Sequence, residues 1–129
     1  MRRLPTDLEL LNAVYERYYS DLAAHSRADP IRDSKIYVPI DIDEIASACN
    51  VDPHLVFGRL FYHLDAKYRY KQDSGAMVHF FALGVGEDRH CVNFPYVASV
   101  LADLRDQHRK NYIGTAIALR SITLRNELP

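Results

Sequence analysis

Between Asp7 and Ala24 the hydrophobic positions return every three or four residues. Leu8, Leu11, Val14 or Tyr15, Tyr18 and Leu22 form one apolar stripe, which predicts an amphipathic helix. Thr6 and Glu9 stand ahead of it at the spacing of a capping box, in which a hydroxyl and a carboxylate each satisfy an orphan backbone N–H. Ser26 to Lys35 is polar, contains Pro30 and reads as a loop. Ile36-Tyr37-Val38 is a short β-prone run, stopped by Pro39.

The next twelve residues carry the most information. Asp41 with Glu44 repeats the capping-box spacing, and Ile40 with Ile45 has the spacing of a hydrophobic staple, so a helix is expected from Ile42. It should end at Asn50, a residue that tolerates the left-handed conformation of a helix C-terminus, with Val51 as an apolar plug. Asp52-Pro53 then restarts a helix at once, Asp52 as N-cap and Pro53 at the first helical position. This second helix is expected to run to about Ala66 or Lys67.

Two helices joined by so short a turn, with an apolar residue inside it, form a helix-turn-helix pattern. Ile45, Ala46, Cys49, Val51, Val56, Leu60 and Leu64 fill the core positions, Ala46 is the small residue at the helix crossing, and Asn50 stands where glycine is frequent. On these residues the chain resembles the winged helix-turn-helix superfamily over about residues 36–94. The resemblance implies an α+β fold with a three-stranded antiparallel wing behind the second helix. Tyr68-Arg69-Tyr70-Lys71, Met77 to Val85 and His90 to Phe94 read as its strands, with turns at Gln72-Asp73-Ser74-Gly75 and Gly86-Glu87-Asp88.

Pro95 helps open a further helix from about Tyr96 to Lys110, with Val97, Val100, Leu101 and Leu104 on one side. Tyr112 to Leu128 fits either a helix, through Ile113, Ala116, Ile117, Leu124 and Leu128, or an alternating strand; helix is preferred. Leu119 and Ile122 would then lie off the main stripe, and a helix apolar on two sides suits a dimer contact. The whole is expected to be one domain over 1–129. The winged-helix core would occupy about 36–94, with the helix at 7–24 and the segment 95–129 packing on it or forming a homodimer.

Composition narrows the class without naming a function. Hydrophobic residues make up 48% of the 129 and charged residues 26%, the balance of a globular chain. Sixteen basic against seventeen acidic residues leave no overall excess to hold duplex DNA, so any such binding needs a local patch. No apolar run is long enough to span a bilayer, and Met1-Arg2-Arg3-Leu4-Pro5 lacks the core of a secretory signal, so the default expectation is cytoplasm, with no membrane partner. Cys49 and Cys91 fall in a helix and a strand pattern and read as small buried hydrophobes.

Candidate chemistry is sparse. His25, His54, His63, His79, His90 and His108 show no paired metal-ligand spacing, and His90-Cys91 would point to opposite faces of a strand. Gly84-Val85-Gly86 lacks the third glycine and the helix of a dinucleotide fingerprint, and Asp103/Asp106 beside Arg105 and Arg109 read as a solvated charged face. The expectation is therefore a non-enzyme with neither metal nor cofactor. On the second motif helix, Val56, Phe57, Leu60 and Leu64 face the core. Leu55, Gly58, Tyr62 and Ala66 face outward, flanked by His54, Arg59 and Asp65.

Only Arg59 on that face is a strong base reader, with His54 and Tyr62 as helpers. Yet Arg59, Lys67, Arg69 and Lys71 against Asp65 alone give Pro53 to Lys71 a local excess of three positive charges. Two readings follow. In the first, a dimeric transcription-regulator-like protein contacts duplex DNA through Arg59, Tyr62, Lys67, Arg69 and Lys71. In the second, the Leu55/Gly58/Tyr62/Ala66 face is an apolar groove that docks a protein partner or a second copy.

Overall fold

A computed structural model of the chain describes residues 3–26, 30–32 and 34–127, with side chains as far as Ala118. Among the described residues the architecture is mixed α+β: four helices, a small three-stranded antiparallel sheet and a two-stranded ribbon. Helix α1 is Asp7–Ala24, strand β1 is Tyr37–Pro39 and helix α2 is Ile42–Cys49. Helix α3 spans residues 53–68, beginning α-helical (Pro53–Gly58), widening to a π-helix (Arg59–Asp65) and closing with one α-helical turn (Ala66–Tyr68). Strands β2 (Tyr70–Lys71), β3 (Met77–Val78), β4 (Phe81–Val85) and β5 (Asp88–Asn93) follow, and helix α4 is Phe94–Glu127.

Local chemistry sets the helix boundaries. The Thr6 hydroxyl accepts the Glu9 N–H and the Glu9 carboxylate accepts the Thr6 N–H, both at 3.1 Å, so the first capping box forms as expected. At α2 only half of the expected box forms. The Asp41 carboxylate accepts the N–H groups of Asp43 and Glu44, but the Asp41 N–H is donated to the Tyr18 hydroxyl at 2.8 Å. That hydroxyl donates in turn to Glu44 at 3.3 Å, so a residue of α1 ties α1 to the start of α2.

Asn50 ends α2 at φ 55° and ψ 47°, and the Val51 N–H returns to the Ala46 carbonyl at 3.1 Å, closing a Schellman turn. The Asp52 carboxylate accepts the His54 N–H at 2.8 Å and starts α3. The last carbonyls of α1, which have no basic residue in their own turn, are met by the loop: Lys35 donates to the Leu22 and His25 carbonyls and Arg32 to that of Asp21.

Three features of the expected strand and helix pattern are corrected. The run Met77 to Val85 is broken at His79–Phe80, because the buried Asp65 carboxylate takes the Phe80 and Phe81 N–H groups at 2.9 and 3.1 Å. Tyr68 ends a helix instead of starting a strand, and β2 pairs with β3 alone as a separate two-stranded ribbon. The three-stranded sheet has the order β1-β5-β4, with Val38 opposite Val92 and Phe81 opposite Val92 from the other side, so Tyr37–Pro39 replaces the expected first wing strand.

The C-terminal segment is one continuous helix. It starts where the Asn93 side chain accepts the Tyr96 N–H at 3.3 Å, and it passes through Lys110 and Asn111 without a break. The expectations for Leu119, Ile122 and Leu124 side chains and for Leu128 lie outside the described residues.

The core lies between α1, α3, the inner face of the sheet and the first three turns of α4. Leu10, Val14, Leu60, Leu64, Phe80, Phe81 and Leu101 are fully buried there. Side chains of this size each stabilise the fold by about 1.5–3 kcal/mol when buried. The ribbon buries none of its four residues fully, and Tyr70 meets Tyr96 of α4 edge-on at 6.2 Å.

Candidate functional site

The outward face of α3 is uncovered. Tyr62 is 73% exposed and Leu55 48%, Ala66 is exposed, and a Cβ at Gly58 would meet nothing within 4 Å. The four residues of the expected apolar groove therefore share an open face. Phe57 and Phe61 lie beside it, half-buried, their rings stacked at 5.4 Å with Tyr62 edge-on to Phe61 at 5.0 Å.

Its flanks differ from the sequence expectation. Asp65 is fully buried, and the widened π turn explains the shift, since each residue there advances the helix by less than the ordinary 100°. Arg59 lies in an ion pair with Asp7 at the start of α1, with both side chains mostly buried, and His63 Nε2 approaches the same carboxylate at 3.4 Å. The strongest base-reading candidate is thus a strut between α1 and α3. Nothing within ten residues of Arg59 announces this, since its partner is fifty-two residues away.

The remaining nominated cations gather where α3 ends and the ribbon begins. Lys67 stands over the Tyr68 ring, 5.3 Å from its centroid, and Arg69 is held against Asp65 at 3.8 Å. Lys71 on β2 is exposed, as is Tyr70 beside it. Tyr70 was not singled out from the sequence, although its place between Arg69 and Lys71 on an expected strand could have suggested it. Tyr62, Lys67, Arg69, Tyr70 and Lys71 thus present three cations and two exposed rings along the last turns of α3 and the first strand of the ribbon.

Acidic groups mark the other end. Asp52 caps the start of α3, while Asp41, Asp43 and Glu44 lie in the cap and first turn of α2. The Asp52 carboxylate and the cations Lys67, Arg69 and Lys71 thus mark opposite ends of α3.

The other titratable groups are mostly tied into structure. His79 Nδ1 lies 3.3 Å from Asp65, His54 Nδ1 3.0 Å from its own N-cap Asp52, and His25 Nδ1 accepts the Ile31 N–H at 3.1 Å. Among the described residues no three His, Cys, Asp or Glu side chains gather as a metal site. His90 has the left-handed φ of 51° inside β5, and its ring stacks on Phe81 at 6.1 Å. Burial pushes the Cys91 thiol up to about 11, and burial also raises that of Cys49, so neither is a ready nucleophile.

A cleft of about 390 Å³ between α1 and α2 contains Cys49, but its cations are engaged, Arg3 with Glu9 at 2.7 Å and Arg17 with Glu44 at 3.6 Å. The expected dimer surface is also divided. Val97, Leu101 and Arg105 of α4 are turned to their own chain, Arg105 to Asn12 and Glu16 of α1, whereas residues 107–118 are exposed. Among the described residues no helix is long and apolar enough to cross a membrane. Comparison with protein families, with curated proteins and with solved structures finds no match to this chain.

Proposed function

We propose that the chain is a non-enzymatic, winged helix-turn-helix nucleic-acid-binding protein that holds duplex DNA by its phosphates more than by its bases. Two crossed helices with a tight turn, followed by a β-hairpin that packs behind them, support the winged-helix part of the reading. The observation that carries the binding part is the exposed basic-aromatic patch of Tyr62, Lys67, Arg69, Tyr70 and Lys71. Phosphates favour such a surface, because neutralising them releases counterions.

The Asp52 carboxylate at the start of α3 would repel phosphates, so contact is expected along the C-terminal half of α3 and the ribbon. With Arg59 engaged by Asp7, no strong base-reading side chain remains on the outer face, and discrimination between sequences should be slight. A fluorescence-anisotropy titration of a duplex of about 20 base pairs, at about 50 and 200 mM salt, tests this. Affinity should fall steeply with salt, and Lys67→Ala, Arg69→Ala and Lys71→Ala together should flatten the log–log slope by about two to three units. Absence of binding at the lower salt removes the reading.

The open Leu55/Gly58/Tyr62/Ala66 face favours a second reading, a protein-docking module without DNA binding. Gly58→Arg separates the two. The position is open, so the fold should accept the change. A docking face would lose its partner, whereas phosphate binding would persist or strengthen.

A further inference from the structure

Helix α4 is 34 residues long, about 50 Å at 1.5 Å per residue, yet among its described side chains only those of the first part pack against the body. Its last fully buried residue is Leu101, Leu104 is half-buried, and every residue from Gln107 to Ala118 is exposed. Among these are Tyr112 at 72%, Ile113 at 48% and Ile117 at 60%. Ile113 and Ile117 are four apart and so share one side of the helix. In proteins most of a helix's stability comes from packing an apolar face, and this stretch has none packed within the described chain.

Gly114 sharpens the point. It weakens an exposed helix relative to alanine, and among the described residues, its own adjoining helix backbone and chain neighbours apart, no atom comes within 4 Å of where a Cβ would stand. Nothing among the described residues uses its small size, whereas a second helix crossing there would.

The charges along α4 identify the occupant. Asp106, Ile113 and Arg120 are seven residues apart and fall on one line of the helix. An antiparallel copy centred on Ile113 sets each Asp106 level with the other copy's position 120 and each Ile113 against its twin. A parallel copy sets like charge beside like. Asp106 already pairs with Arg109 at 3.3 Å and Lys110 at 3.0 Å within its own helix, so a facing cation would extend an existing network.

We infer that residues 106–120 of α4 form an antiparallel helix pair with a second copy of this chain. This does not depend on the nucleic-acid reading: the surface lies beyond the body of the protein, and Gly58→Arg leaves it untouched.

Analytical ultracentrifugation of the full chain from about 1 to 100 µM tests it. The wild type should sediment as a dimer, and Ile113→Lys with Ile117→Lys should make it monomeric. Both residues are exposed, so the fold of the body should survive, as its circular dichroism and unfolding midpoint would report. Asp106→Arg alone should weaken the dimer about tenfold or more. Adding Arg120→Asp to the same chain should restore it, because positions 106 and 120 come level with opposite charges only in the antiparallel pair. A wild type that stays monomeric at 100 µM overturns the inference. So does a dimer that survives the double lysine change, and so does a charge swap that restores nothing.

Discussion

At Asp65 a single buried carboxylate joins α3 to the start of β4, accepting the Phe80 and Phe81 N–H groups while His79 and Arg69 approach it from the solvent side. Removing it strands two backbone donors away from water, and unpaired buried groups are costly. Asp65→Ala should lower stability by about 3–5 kcal/mol, whereas Asp65→Asn, which keeps an acceptor, should cost less. Urea unfolding of both variants checks this, and an alanine variant as stable as the wild type would contradict the assignment.

At Glu9 the effect is one of pH. Hydrogen bonds from Arg3, and then from Thr6, hold its carboxyl near 2 instead of the ordinary 4.5. A carboxyl lowered on folding lends stability that is complete above about 4.5 and lost as the pH falls toward 2. The group is exposed, so the gain is small. Glu9→Gln should flatten the loss of thermal stability between pH 4.5 and 2 without changing the slope above pH 6.

Among the elements, those set by neighbours in sequence were legible from the sequence. The caps at Thr6 and Asp52 and the left-handed turn at Asn50 each depend on residues within a few positions, and each forms; at Asp41 the side-chain cap forms but the box stays half-made, because its N–H is donated to Tyr18 of another helix. The turn gives a direct test: Asn50→Gly should be neutral or slightly stabilising, and Asn50→Val should cost about 1–2 kcal/mol in chemical unfolding, since a β-branched side chain resists φ of 55°. Elements set by distant partners were not legible. Asp65 breaks the run Met77 to Val85 from another element, and the π turn rotates the flank of α3 by an amount that 3.6-residue periodicity cannot anticipate. The site divides in the same way. The outward position of Leu55, Gly58, Tyr62 and Ala66 follows from helical spacing, whereas the loss of Arg59 to Asp7 needed the fold.

For the whole molecule, that loss separates two kinds of arginine and lysine that look alike in the sequence. Arg59 joins α1 to α3 across the core edge, largely out of water, and its partner Asp7 lies in the first turn of α1. Lys71 lies out on a ribbon with no ion pair shorter than 4 Å among the described residues. Truncating one partner of a mostly buried pair leaves the other charge poorly solvated, so Arg59→Ala should cost about 2–4 kcal/mol in unfolding. Because Arg59 faces Asp7 and not solvent, the salt slope for duplex DNA should not change. Lys71→Ala should do the reverse, leaving unfolding within about 0.5 kcal/mol and reducing the slope by about one unit. Measuring both quantities on both variants decides whether the base-rich end of α3 is where nucleic acid would sit. If Arg59→Ala changed the slope as much as Lys71→Ala, the ion pair would have to open on binding, and the binding surface would extend along the helix toward the acidic end that the charges now argue against.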